Sequence, residues 1–206
     1  MDIIMPVPGM QSSGFKVFLF VPRAGEHHGS ARPNDRFSYL LKGRVKLSKT
    51  GESLSKGNLT LIPAGAKPPD FAAAGEEESD RVEFLMIWDM GAGGGKGGGG
   101  SIKRANVLSL PPQDRPGEAK WTPIMKGSRI SAGLVRFQTG YSFRVERGKE
   151  ILSLVISGKV LYQAGRRKIQ AGPNHLVRLG TGPGYRLQSQ EGEALVLQFE
   201  LPSSGD

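Results

Sequence analysis

Apolar and polar positions along this chain change places every one or two residues, in short bursts bounded by Gly, Pro, Asn, Asp and Ser. Residues 15–21 (FKVFLFV), 37–41 (FSYLL), 58–62 (NLTLI) and 82–88 (VEFLMIW) are rich in β-branched and aromatic side chains, and 44–47 (RVKL) alternates strictly. Further on, residues 130–137, 142–146, 151–156, 159–162, 175–179 and 194–200 repeat the same texture. A period of two places alternate side chains on opposite faces of a strand, whereas a helix needs a period of 3.6, and no window here shows one. Short strands at close spacing with turn residues between them predict an all-β sandwich or barrel.

Residues 91–101 (GAGGGKGGGGS) interrupt this texture, with eight glycines in positions 91–100. A segment without side chains to bury predicts a linker. Neither a Gly-Lys-Ser/Thr sequence nor a helix-like pattern follows it, so it does not read as a phosphate loop. The expected division is therefore a first domain over 1–90, a linker over 91–101 and a second domain over 102–206.

The two halves share a spacing. Laid without a gap over residues 152–183, residues 37–68 give 7 identities in 32 positions, among them Gly43 over Gly158, Gly57 over Gly172, Gly65 over Gly180 and Pro68 over Pro183. Glycine is needed where the backbone takes a positive φ or where two backbones crowd. One glycine spacing used twice predicts an internal duplication.

These residues resemble the cupin superfamily. Its second motif, G-x5-P-x-G-x2-H-x3-N, is matched by Gly57, Pro63 and Gly65, with Pro68 in the histidine position and Ala72 in the asparagine position. In the second half, Gly172 and Gly180 match, Arg178 stands in the proline position and Pro183 in the histidine position. The first cupin motif would end at Gly43 and Gly158. Its glutamate position falls on Arg36 and Ile151, and its histidine positions fall near Ser30 and Arg32, and near Glu146 and Gly148. The resemblance implies two tandem jelly-roll (cupin) β-barrels related by internal duplication, a bicupin with degenerate metal motifs. A cupin metal centre uses three histidines and a glutamate; proline has no donor atom to replace one. The resemblance therefore implies no cofactor, with a divalent transition metal held by non-standard ligands as the alternative.

Under that alternative the candidate ligands are His27 and His28, beside Glu26 in a loop. His175 falls within a strand-like run and reads as a packed or rim residue. Glu146 and Glu150 are expected to pair with Arg144, Arg147 or Lys149 rather than hold a cation. No nucleophile–base–acid set is recognisable. The residues expected to face inward are Arg36, Ser38 and Leu40, then Leu59, Leu61 and Pro63, then Phe84, Met86 and Trp88 or the opposite set. In the second half they are Ile151, Ser153 and Val155, residues among 176–179, then Leu197 and Phe199. Such apolar walls with a few polar fixers suit a small organic ligand; the candidate binding residues are Arg36, Ser38, Trp88, Arg144 and Ser153. The function expected is small-molecule binding, regulation or assembly rather than catalysis. The alternatives are a cupin-type dioxygenase or isomerase, or a basic regulatory module.

Composition narrows the partners. Residues 1–101 carry 12 Lys+Arg against 11 Asp+Glu, residues 102–206 carry 16 against 8, and the chain as a whole is +9. The densest cluster, Arg166-Arg167-Lys168 near Lys159, reads as a solvated hairpin tip. It lacks the interleaved aromatics of a single-strand platform, which argues against a nucleic-acid partner. The absence of cysteine excludes disulfides and thiolate metal sites. No apolar run approaches the ~20 residues of a membrane span, and the first ten residues lack the basic start of a secretory signal. A cytoplasmic protein without membrane contact is expected, and the resemblance to bicupins implies a homodimer as one assembly open to it.

Overall fold

The computed structural model describes residues 2–4, 10–11, 14–22, 31–73, 81–91, 100–110, 119–182 and 184–201. In these the regular structure is entirely β. In chain order the strands are β1 (Asp2–Ile4), β2 (Met10–Gln11), β3 (Phe15–Phe20), β4 (Arg36–Lys42), β5 (Arg44–Leu47), β6 (Ser53–Ser55), β7 (Asn58–Ile62), β8 (Phe71–Ala73) and β9 (Glu83–Asp89). There follow β10 (Lys103–Asn106), β11 (Trp121–Lys126), β12 (Ser131–Phe137), β13 (Ser142–Val145), β14 (Glu150–Ala164), β15 (Arg167–Ala171), β16 (Leu176–Leu179) and β17 (Tyr185–Leu201). No helix among the described residues is long and apolar enough to cross a membrane.

The chain forms two compact units, one of residues Val7–Leu110 and one of Met1–Pro6 with Pro111–Asp206. This departs from the division at 90 and 102 expected from the glycine run. The strand after that run, β10, pairs antiparallel with β7 of the first unit, Lys103 opposite Leu61 and Asn106 opposite Asn58. Conversely β1 pairs with β16 of the second, Asp2 opposite Arg178. The reason is physical: β7 and β16 would otherwise present rows of unpaired backbone N–H and C=O groups, and the outer strand of each sheet, β10 or β1, covers them. The glycine run itself, positions 92–99, lies outside the described residues.

In the first unit a six-stranded sheet ordered β10-β7-β4-β9-β3-β2 accompanies a three-stranded sheet ordered β6-β5-β8. Their shared core holds Leu40, Phe84 and Met86 from the larger sheet and Val45, Leu47, Leu54 and Phe71 from the smaller. Phe71 and Phe84 bring their ring centroids within 5.3 Å. The second unit is one eight-stranded sheet, β1-β16-β14-β17-β12-β11 with β13 on β17 and β15 on β14. Its longest strands, β14 and β17, bend, so that Ile151, Val155, Val160 and Tyr162 from β14 and Leu187, Ala194 and Val196 from β17 face one core. The bend of β14 coincides with shifts of register between Val155 and Val160. A bulge inserts a residue and turns the strand.

Registers fix which residues share a face. Arg36, Ser38 and Leu40 stand with Trp88, Met86 and Phe84, and the last two belong to the core, as expected. Leu59 and Leu61 do not join them: they stand opposite Tyr39 and Phe37, on the other face of β4, and Thr60 and Ile62 take the places assigned to them. Likewise Leu197 and Phe199 stand opposite Leu154 and Leu152, so Val196 and Gln198 share the face of Val155 and Ser153. Both faces of these strands are buried, so no polar face announces which way is inward.

Gly43 (φ +84°) and Gly158 (φ +75°) sit at corresponding corners. A Cβ on Gly43 would lie 2.9 Å from the Arg81 carbonyl oxygen, and one on Gly158 would lie 2.3 Å from that of Glu193. Each is a crossing of backbones where only glycine fits. The other repeated pairs differ: Gly57 has φ +94° and is crowded by Leu108, whereas Gly172 takes no positive φ and has open space around its Cβ position. There the left-handed residue is Asn174 (φ 63°).

Candidate functional site

The sequence of residues 32–36, ArgProAsnAspArg, cannot start a strand at once: Pro33 has no N–H to give to a ladder. The segment instead ties itself to the end of β9 and to the turn after β7. The Asp89 N–H donates to Asp35 O at 3.0 Å and the Gly65 N–H to Arg32 O at 2.7 Å. The Asn34 side-chain amide donates to Asp89 O at 2.8 Å, and the Ala64 N–H donates to the buried Asp35 carboxylate at 2.8 Å. The Asp89 carboxylate accepts from the Gly91 N–H at 2.9 Å. Arg36 opens β4 directly opposite Trp88, and its Nη2 donates to Ala66 O at 3.2 Å.

These anchors frame a cleft of about 160 Å³ lined by Arg32, Asn34, Arg36, Trp88, Asp89 and Met90, among others. Arg32 holds its guanidinium carbon 5.5 Å from the Trp88 ring centroid, a cation–π arrangement. Phe18 meets the same ring edge-on at 4.8 Å between centroids. The Trp88 Nε1–H is buried and has no hydrogen-bond partner among the described residues. Arg36 is 3% exposed; burial first, and the neighbouring Arg32 charge second, pull its pKa below the ordinary guanidinium value. The cleft is thus lined by Arg32, Arg36 and Trp88, with Asp89 as the carboxylate among its lining residues. Chemically this suits a small organic anion with an apolar part.

Of the five binding residues expected from sequence, the structure brings Arg36 and Trp88 together at this cleft, and places the buried Ser38 two residues further along the same face of β4. Ser153 and Arg144 belong to the other unit. Ser153 is fully buried and shares a 2.9 Å hydrogen bond with the Tyr162 hydroxyl. Arg144 is exposed on β13 opposite Arg186, so it faces solvent rather than a pocket. Arg32, which is not among those five, also lines the cleft. Its signal in sequence was the Arg-Pro-Asn-Asp-Arg turn, which sets two guanidiniums four positions apart at the head of a strand.

His27 and His28 lie outside the described residues, as does Pro183. His175 is half-buried, its Nδ1 3.2 Å from Pro173 O, consistent with a rim residue. Glu146 pairs with Lys149 at 4.0 Å, as expected. Glu150 does not pair with its sequence neighbours: Arg178 Nε and Nη2 converge on its Oε1 at 2.7 and 2.6 Å. The Arg166 cluster is the exposed tip of the β14–β15 hairpin, with Ala164 opposite Arg167. Pro68 lines a second cleft of about 220 Å³ with Lys49, Lys67 and Arg104.

No family model matches the chain, and no curated protein matches its sequence. Solved structures do resemble it. A protein from Pseudomonas aeruginosa described as the "Putative Glyoxylate Induced Protein" superposes with a TM-score of 0.70 at 16% identity, over 97% of this chain and 79% of that one. A cupin 2 conserved barrel domain protein from Leptotrichia buccalis gives 0.69 at 12%, over 93% and 86%. Bacillus subtilis oxalate decarboxylase gives 0.62 at 13%, over 93% and 70%. The chain has the all-β fold of cupin-domain proteins.

One expectation is corrected by this comparison. That no cofactor is needed was read from lost metal motifs, yet the neighbours include an oxalate decarboxylase with Mn(II) centres, so the fold carries metal in a similar protein. Among the described residues no group of three His, Cys, Asp or Glu side chains is placed to hold an ion, and these donors do not fit such a centre. The cofactor of this chain is not established.

Proposed function

We propose that this chain is a small-molecule-binding protein whose first unit takes a small organic carboxylate in the Arg32–Arg36–Trp88 cleft. The observation that carries the reading is the Trp88 ring with Arg32 above it, Arg36 directly across the strand and a buried indole N–H without a partner among the described residues. A carboxylate in the cleft pairs with the Arg32 guanidinium, and its carbon part packs beside Pro33 and Met90. Oxalate, which names one neighbour's reaction, belongs to this chemical class.

The test is a thermal-shift and calorimetric panel of mono- and dicarboxylates, inorganic phosphate and neutral sugars on the full chain. A ligand that binds only the native state raises its stability. Carboxylates are expected to raise Tm and sugars not to. The reading fails if no carboxylate binds, or if Arg32→Gln binds as tightly as the parent.

We propose further that the two units are cupin modules descended from one duplicated barrel. The support is the glycine spacing together with the matching corners at Gly43 and Gly158. An experimentally determined structure in which residues 37–68 and 152–183 do not superpose would overturn it.

A further inference from the structure

In the second unit three orphaned polar atoms stand on one face of one sheet. Gln198 is completely buried, and neither its Nε2 nor its Oε1 has a partner among the described residues. The Trp121 Nε1–H is likewise buried without a partner. Register places them side by side. Gln198 on β17 is directly opposite Gly133 on β12 and directly opposite Ser153 on β14. Directly opposed side chains in an antiparallel pair lie about 5 Å apart at Cβ. Gly133 has no side chain, and the Trp121 indole occupies its place: a Cβ there would lie 2.4 Å from Nε1. The row therefore reads Trp121 over Gly133, then Gln198, then Ser153 with its bond to Tyr162.

The surroundings of this row are apolar: Val135, Ile151, Val155, Val177 and Val196 belong to the same core. Buried polar groups in native proteins find partners almost without exception, and three orphans in one row imply a shared one. The row offers a carboxamide N–H and an indole N–H as donors and a carboxamide oxygen as acceptor. An ionised carboxylate would meet the Gln198 oxygen without a proton between them and would lose its hydration for no positive charge.

We propose that this row is a second binding subsite, separate from the arginine cleft, for a planar group that presents an acceptor beside a donor: a carboxamide or an undissociated carboxyl. Its carbonyl oxygen receives the Trp121 and Gln198 N–H groups, and its N–H or O–H donates to Gln198 Oε1. Gly133 is the glycine that lets the indole lie against the sheet.

The chain has two tryptophans, so Trp88→Phe leaves Trp121 as the sole indole reporter and removes the arginine cleft from the readout. Acetamide is titrated into this full-length variant while Trp121 emission is followed. A saturable shift is expected, weakened about tenfold by Gln198→Leu, the loss of a paired hydrogen-bonding edge. Should Gln198→Leu fail to fold by circular dichroism, Gln198→Met takes its place. Acetic acid near its own pKa, at about pH 4 to 5, distinguishes the sources. Binding that follows the undissociated fraction assigns a carboxyl, and binding by acetamide alone assigns an amide. The proposal is overturned by a titration without saturation, by equal affinity in the Gln198 variant, or by a crystal grown with acetamide that shows only water between Trp121 and Gln198.

Discussion

Ser153 and Tyr162 lie nine residues apart on one strand, β14, and yet their side-chain oxygens are 2.9 Å from each other. Nine extended residues would span about 30 Å, so β14 turns back on the core between them. The irregular register from Val155 to Val160 and the left-handed Gly158 make the turn. The bend also brings an odd-numbered and an even-numbered residue to one face. The hydrogen bond satisfies both hydroxyls in a place that excludes water.

Burial pushes the Tyr162 phenol well above its ordinary pKa, with the Ser153 bond acting weakly the other way. Tyr39 is raised by burial alone. Above pH ~10 the unfolded chain loses these protons and the native protein keeps them. Their contribution to stability is therefore complete below pH ~10 and is lost as pH rises toward the native value, at up to about 1.4 kcal/mol per pH unit for each phenol. Urea unfolding at pH 8 to 11 is expected to show this fall, and Tyr162→Phe to flatten it. Equal slopes in parent and variant would contradict the assignment.

The corner glycine is expected to tolerate nothing larger. Gly158→Ala combines a positive φ with a Cβ 2.3 Å from a backbone oxygen, and is expected to cost more than ~2 kcal/mol or prevent folding. Gly165→Ala shares the positive φ, +57°, but meets nothing within 4 Å, and is expected to cost about 1 kcal/mol. Chemical denaturation of the pair separates crowding from dihedral strain.

Two ion pairs of similar length are expected to behave differently. Glu150 has a side chain 6% exposed against Arg178, so Glu150→Ala leaves a guanidinium short of its partner and is expected to cost about 1–3 kcal/mol. Lys159 and Glu191 lie 2.9 Å apart with side chains 49% and 66% exposed, and Lys159→Ala is expected to change stability by less than ~0.5 kcal/mol. Comparable losses in the two variants would refute the distinction.

Carboxylate binding at the arginine cleft is expected to weaken with salt. Arg32 is exposed, and at about 1 M ionic strength the screening length falls to ~3 Å. A several-fold rise in Kd between low and high salt is expected by calorimetry, while acetamide binding at the Gln198 row, which lies in an apolar core, stays unchanged.

Much of the fold was legible because turns and strands leave local marks. The run 37–41 followed by glycine became β4 and its corner, and the pattern at 194–200 became the end of β17. What could not be read was orientation. Leu197 and Phe199 look more inward than Val196 and Gln198, yet the register with β14 puts the glutamine on the core face. A strand buried on both sides carries no alternation to reveal this, and the deciding hydrogen bonds come from residues some forty positions away. The arginine cleft was half visible: Arg36 and Trp88 stood out, but Arg32 reaches the ring only through the turn at Pro33. Arg144, a candidate binding residue, is exposed because its neighbour Val145 takes the core face of β13.

The pairing of Asp2–Ile4 with Leu176–Arg178 sets an order on assembly during synthesis. Residues 2–4 are made before the strand they pair with, Leu176–Arg178, which follows only after the whole intervening chain has been synthesised at roughly 5–20 residues per second. Residues Val7–Leu110 can close their own ladders while the ribosome is still working. The other unit cannot close this ladder until residues 176–178 have been made, and until then β1 is an uncovered edge open to mispairing.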